Sequence, residues 1–211
     1  MEVRWFGHSF FLVTTEKGKR IAFDPFDQSV GYPLPEVEAD MVLVSHEHFD
    51  HNNVALVRGY QEVIRQPGEY RRGDIRIQVF PTFHDEEEGK KRGRNNVFRV
   101  EVDEMVLMHM GDLGAVPRDE ELQAWKPVHL LFVPVGGVYT IDARGAQELV
   151  GKLSPSITVP MHYKTRFLSF SLNPVEHFLR PFERVKFLKS STFMVTAKTL
   201  PSLPEVWVLE I

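Results

Sequence analysis

The sequence predicts a layered domain of α/β or α+β class. A first half rich in β-branched and aromatic runs points to sheets, and a change of hydrophobic period near Pro117 brings in helices. At 211 residues the chain is expected to form one domain, residues 1–211, long enough to bury a substantial core.

In chain order, Val3–Thr14, Arg20–Asp24, Met41–Ser45, Ile75–Phe80 and Val97–Val102 read as strands, because each run is bounded by turn residues. Pro117–Trp125 reads as a short helix and Leu130–Val135 as a buried strand. Ala143–Leu153 is an amphipathic helix opened by Thr140 or Asp142, whose side-chain oxygens suit an N-cap. A strand at Ile157–Pro160, a helix from Asn173-Pro174 through about Arg180, and strands at Thr192–Thr196 and Val206–Ile211 complete the pattern. Between the strand runs, Asp85–Asn96 is acidic, then basic, with two glycines, and is expected to be a long exposed loop.

Composition removes several function classes. Apolar residues at 43% and charged residues at 26% exclude collagen-like, low-complexity and largely disordered chains. With 25 Lys plus Arg against 29 Asp plus Glu, the formal charge of -4 provides no global basic field, so nucleic acid is a disfavoured partner. Cysteine is absent, which excludes a disulfide framework, fits a cytoplasmic location and leaves His and carboxylates as the only strong ligands for a transition metal. Neither a signal peptide nor a membrane span is expected, since no apolar run approaches ~18 residues.

The chemistry concentrates in Val44-Ser45-His46-Glu47-His48-Phe49-Asp50-His51, where an apolar strand runs into an H-x-H-x-D-H pattern. Alternation puts His46 and His48 on one side of an extended segment, within reach of one ion, while Asp50 and His51 emerge after the turn and can reach a second. Imidazole with carboxylate suits zinc, manganese or iron, and two such ions would share a hydroxide between them. The spacing therefore predicts a two-metal hydrolytic centre.

With these residues the sequence resembles the metallo-β-lactamase superfamily, and more closely its compact branch of metal-dependent hydrolases related to ascorbate-phosphate lactonases. Phe6-Gly7-His8 and Ile21-Ala22-Phe23-Asp24-Pro25 are similar to the opening strand pair, with Asp24 on the aspartate of the first motif. His46, His48, Asp50 and His51 match the second motif, His84 the third, Asp112 the fourth and His162 the fifth. The resemblance implies a four-layer αβ/βα sandwich with two divalent ions, zinc first and manganese or iron next, at one edge of the two sheets. It implies that His46, His48 and His84 hold one ion, that Asp50, His51 and His162 hold the other, and that Asp112 bridges them. Asp24 would stand behind the ligands and orient one of them. His8 and His109 lie beside matched motifs and are open to three roles: supporting a ligand from behind, giving a proton, or packing.

The expected reaction is hydrolysis of an ester, lactone or amide bond in a small molecule, which could be anionic, with Asp50 also orienting or deprotonating the attacking water. Gly136-Gly137 with Lys164 and Arg166 are candidates to receive an anionic group, and Phe26, Tyr32, Phe167 and Phe170 are candidates to line the cleft. The competing readings are a phosphodiesterase or nuclease, served by a strip of Arg65, Arg71, Arg72, Arg76 and Lys90–Arg94, and a non-catalytic metal-binding protein. The pattern carries no signal for oligomeric state.

Overall fold

The computed structural model describes residues 1–211. Its first sheet is built from β1 (Glu2–Gly7), β2 (Phe10–Thr14), β3 (Arg20–Phe23), β5 (Met41–Leu43), β7 (Glu62–Ile64) and the late strand β15 (Thr192–Met194), in the spatial order β15-β1-β2-β3-β5-β7. The second contains β8 (Gly68–Arg72), β9 (Ile75–Phe83), β10 (Arg94–Val102), β11 (Met105–His109), β12 (Leu130–Pro134), β13 (Ile157–Met161), β14 (Val185–Phe187) and β16 (Glu205–Val208), ordered β14-β16-β13-β12-β11-β10-β9-β8. A small parallel pair, β4 (Val37–Glu38) and β6 (Val57–Arg58), lies apart. The helices are α1 (Asp119–Trp125), α2 (Ala143–Leu153) and α3 (Glu176–Leu179).

Alternation explains why the first sheet is buried on both sides. Phe11, Val13, Ile21, Phe23, Met41 and Leu43 join the core between the sheets, while Phe10, Ala22, Val42 and Val44 point outward into a second apolar cluster. The sheets meet through flat stacking of Phe11 on Phe132, with ring centres 4.1 Å apart. On the second sheet, α2 presents Ala146, Leu149, Val150 and Leu153 to the core. Its first turn is closed by Asp142, whose carboxylate accepts from the Gly145 N–H at 2.9 Å, which decides between the two expected caps. The two outer layers differ. Helices cover the second sheet, whereas loops with single 3-10 turns at Gln28–Val30 and Val54–Leu56 cover the first.

Four expectations are corrected. The Val3–Thr14 run is two antiparallel strands, because the chain reverses at Gly7 and His8, both with positive φ (112° and 50°). Strand β9 continues to Phe83 and β10 starts at Arg94, so Asn95 and Asn96 are buried strand residues rather than part of an exposed loop. The helix expected from Asn173 to Arg180 shrinks to the single turn α3. Strands β4, β6, β7, β8, β11 and β14 fall outside the expected runs; β4, β6, β7 and β14 span only two or three residues and β8 is exposed along most of its length, which hides them from a hydrophobic pattern.

Direction matters most for the site. Strands β1, β3 and β5 of the first sheet run the same way, as do β9, β11, β12 and β13 of the second, and residues that follow both sets meet in one cluster. Their carboxyl ends therefore open on one edge of the sandwich, where residues from distant parts of the chain can meet.

Candidate metal centre

Each predicted residue sits just beyond one of those strand ends. His8 follows β1, Asp24 follows β3, His46 to His51 follow β5, His84 follows β9, Asp112 follows β11 and His162 follows β13. Three groups have ligand atoms mutually within 4.8 Å: His46, His48 and His84; His8, Asp50, His51 and His162; and His46, His51 and Asp112. The Asp112 carboxylate stands between the first two, 3.1 Å from His84 Nε2, 3.2 Å from His162 Nε2, 3.2 Å from His51 Nε2 and 3.9 Å from His46 Nε2.

Behind this cluster Asp24 is fully buried and accepts three hydrogen bonds, with both oxygens engaged. Its carboxylate accepts from His51 Nδ1 at 2.8 Å, from Ser45 Oγ at 2.6 Å and from the Ser45 N–H at 2.7 Å. The Ser45 hydroxyl is in turn 2.9 Å from His46 Nδ1. Asp24 thus fixes the ring of His51 directly and that of His46 through Ser45, leaving both Nε2 atoms turned inward. His84 is oriented differently, by Nδ1–H donating to the Tyr139 carbonyl at 3.1 Å. His8 lies 3.1 Å from Asp50 Oδ2 and is grouped with Asp50, His51 and His162, while His109 donates to the Ser9 carbonyl and accepts from the Gly111 N–H. His109 therefore clasps two turns together and reaches no other cluster ring nitrogen. His129 accepts from the Val106 N–H, which uses it in the fold.

One residue with no motif to announce it positions Asp112. Buried Asn95 accepts from the Asp112 N–H at 2.9 Å and donates to Thr82 Oγ1 and the Met110 carbonyl, both at 2.9 Å. Gly111 between them has φ 54°, and a side chain there would collide with Asn95 and Ser45. His8, Asp24 and His162 also adopt left-handed backbone (φ 50°, 48° and 51°), a conformation that costs a non-glycine residue ~1–2 kcal/mol and clusters where function holds geometry.

The electrostatics follow from burial and neighbours. Burial opposes a charge on His51, but Asp112, Asp50 and Asp24 together hold its pKa well above the usual imidazole value. Asp112 and Asp50 are also buried, yet the surrounding histidines keep both well below the ordinary carboxylate range. His46 is lowered first by burial and then by the charge on His51, and His8 is pushed down to about 4 by burial and by His162, against the pull of Asp50.

A hydrogen-bond inventory shows what the cluster lacks. The buried side-chain atoms without a partner are His8 Nδ1, Ser9 Oγ, His46 Nε2, His51 Nε2, Asp112 Oδ1 and both ring nitrogens of His162. All but Ser9 Oγ, on the residue after His8, belong to the cluster. Buried polar atoms are otherwise satisfied in native proteins, so a convergent set of orphaned imidazole and carboxylate atoms fits divalent cations.

Above the cluster opens a cleft of about 420 Å³ lined by His48, Phe49, Asp50, His84, Lys91, Arg92, Asp112, Tyr139 and Phe170. Of the aromatics expected to line it only Phe170 does. Phe26 and Tyr32 are buried in the outer apolar cluster and Phe167 packs beside it. Gly136 is occupied by a backbone bond to the His162 carbonyl, Lys164 Nζ donates to the Leu168 carbonyl and Arg166 to that of Ile211, so the expected anion contacts lie elsewhere. The cations that face the cleft are Lys91 and Arg92.

Comparison with known proteins identifies the family. Residues 2–162 match the beta-lactamase superfamily domain. A UPF0173 metal-dependent hydrolase from Carboxydothermus hydrogenoformans is 31% identical over 196 residues, covering 78% of this chain and 85% of that protein. A Zn-dependent hydrolase of the metallo-β-lactamase superfamily from Thermotoga maritima superposes with a TM-score of 0.83 at 36% identity, covering 99% of this chain and 98% of the other. Igni18, a metallo hydrolase from Ignicoccus hospitalis, shares the fold at 22% identity with a TM-score of 0.69, covering 99% of this chain and 94% of its own. Sequence motifs, strand-end geometry and these likenesses converge: the chain belongs to the metallo-β-lactamase superfamily, the metal-dependent hydrolases built on this sandwich.

Proposed function

We propose that the protein is a binuclear metal-dependent hydrolase that cleaves an ester, lactone or amide bond in a small molecule. The observation that carries this reading is the set of orphaned buried atoms, five of the seven of which lie on His46, His51, His162 and Asp112. His46, His48 and His84 would hold one ion, and Asp50, His51 and His162 the other. Asp112 would stand between them, with zinc the first candidate and manganese or iron next. Such ions supply Lewis acidity and lower the pKa of a water towards ~7.

The chain's own residues do the rest. Asp24, Ser45 and the Tyr139 carbonyl hold His51, His46 and His84 in the tautomer that offers Nε2. His8 bonds Asp50 Oδ2 and so holds in place the carboxylate that would bind the second ion and orient the attacking water. Phe49, Tyr139 and Phe170 line the cleft and would flank the apolar part of a substrate.

The cleft favours a small molecule over nucleic acid. Its volume is that of a small-ligand pocket, and three arginines of the expected nucleic-acid strip are paired with carboxylates, which interrupts the strip: Arg65 with Glu47, Arg72 with Glu62 and Arg76 with Glu69. The test is elemental analysis of the purified chain with a parallel assay on an aryl ester, a lactone and a phosphodiester. About two transition-metal equivalents with preferred cleavage of the ester or lactone supports the proposal. A chain that takes up no metal on reconstitution, or cleaves only the phosphodiester, overturns it.

A further inference from the structure

The wall of the cleft carries chemistry that the hydrolytic roles above leave unused. Arg92 is half-buried, with its guanidinium 5.2 Å from the centre of the Tyr139 ring and one nitrogen donating to the Val138 carbonyl at 3.4 Å. Lys91 beside it is paired with Glu87, whereas Arg92 has no carboxylate partner. The turn that presents it is locked from within. The buried Asp85 carboxylate accepts from the N–H groups of Glu87, Gly89, Lys91 and Arg92 at 2.7–3.0 Å, so the cation is held through its own backbone. Tyr139 joins this wall to the cluster, because its carbonyl accepts from His84 Nδ1 while its ring carries Arg92.

We propose that Arg92 on Tyr139 is an anion-recognition subsite, and that the substrate is a small ester or lactone bearing a carboxylate or phosphate on an apolar body. This substrate class rests on the hydrolase reading above. A guanidinium stays charged at every working pH and meets an oxyanion with two parallel N–H bonds. Here one of its five donors is used by Val138, and the others remain available. Because Asp85 has already ordered the turn, binding an anion does not have to order it. The net charge of -4 repels anions at long range, so a fixed local cation is the feature that admits one. Phe49 and Phe170, lining the same cleft, suit the apolar part of such a molecule.

The experiment compares 4-acetoxybenzoate, 4-acetoxyphenyl phosphate and the neutral 4-acetoxybenzamide as substrates of the metal-loaded full chain, for wild type, Arg92→Ala, Arg92→Lys and Lys198→Ala. The quantity read is the kcat/KM ratio of each anionic ester to the neutral one, compared across variants so that intrinsic ester reactivity cancels. Arg92→Ala is expected to lower that ratio by ~10-fold or more, the worth of a charge-assisted bond, with Arg92→Lys between it and wild type. The larger loss, with carboxylate or with phosphate, identifies the anion. Lys198→Ala, a charge removed at the far end of the molecule, is expected to leave the ratio as in wild type. Calorimetric binding of 4-hydroxybenzoate and of inorganic phosphate provides a readout independent of turnover, and the affinity for at least one is expected to fall by ~10-fold or more in Arg92→Ala. Hydrolysis with ratios and affinities indifferent to Arg92 overturns the subsite while the hydrolase reading stands. Arg92-dependent anion binding in a metal-loaded chain that cleaves no ester, lactone or amide overturns the hydrolase reading and retains the subsite.

Discussion

At the end of the sandwich where the β2–β3, β8–β9 and β10–β11 turns gather, a groove of about 1020 Å³ is lined by nine charged residues, among them Glu16, Lys17, Asp74, Arg76 and Asp103. At the opposite end, beyond the strand carboxyl termini, lies the smaller cleft over the His and Asp cluster. The larger cavity looks the better site until its bonds are followed. Lys17 meets Asp74 at 2.8 Å, Arg76 meets Glu69 and Glu101, and none of its groups is buried without a partner. In the smaller cleft the carboxylates and, apart from exposed His48, the imidazoles are buried, and inward atoms of His46, His51, His162 and Asp112 are left over. Exposed pairs are screened and contribute ~0–1 kcal/mol, whereas an uncompensated buried polar group costs more and persists when something else completes it. Unsatisfied burial, rather than volume or charge count, marks the functional end.

Removing the shared carboxylate tests the contrast most severely. Asp112→Ala is expected to lower metal content from about two equivalents and to reduce kcat/KM by more than the ~10- to 100-fold that loss of an outer partner costs, as read by elemental analysis with steady-state kinetics. Asp24→Asn comes next. It keeps the shape but loses the charge facing His51, and metal affinity by chelator competition is expected to fall ~10- to 100-fold. Asn95→Leu leaves the Asp112 N–H and the Met110 carbonyl without their partner, and denaturant unfolding of the metal-free chain is expected to show a loss of ~1–3 kcal/mol.

A pH series sharpens the same comparison. His51 has its folded pKa raised, so in the metal-free chain its stabilising contribution is full below its ordinary value of 6.5 and is lost as pH rises through the folded value. Asp24, Asp50 and Asp112 are lowered, so theirs are present above the ordinary value of 3.8 and lost as pH falls through the folded values. Metal uptake displaces the proton from His51 and grows with pH. Melting temperatures of chelated and metal-loaded protein are therefore expected to diverge as pH increases from 6 to 9. Smallest of all, Lys17→Ala at the other end is expected to change unfolding free energy by no more than ~0.5 kcal/mol and to leave metal content unaltered.

Much of this end was readable before any coordinates. H-x-H-x-D-H is a local pattern, and local patterns survive in one dimension: His46, His48, Asp50 and His51 do meet after β5. His84, Asp112 and His162 each stand alone in the chain, and only the family motifs singled them out. Asn95 lies in a run that reads as a polar loop, yet its partner is Asp112, 17 positions away, and no periodicity encodes that pairing. Arg92 has the same difficulty, since its meaning comes from Tyr139. The reversal at His8 was hidden because a non-glycine residue takes a left-handed conformation there.

The Asp85 turn has a consequence for how such an enzyme changes. Four amides of one short segment close on a carboxylate of the same segment, so the turn is a self-contained module hung between β9 and β10. Glu86, Glu88 and Lys90 on it are exposed and make no ion pair, and together with Lys91 and Arg92 they can be exchanged while Asp85 keeps the knot tied. Selectivity can therefore drift or be engineered at that segment without reopening the strand ends that carry the histidines, which separates the evolution of what is recognised from that of how it is cleaved.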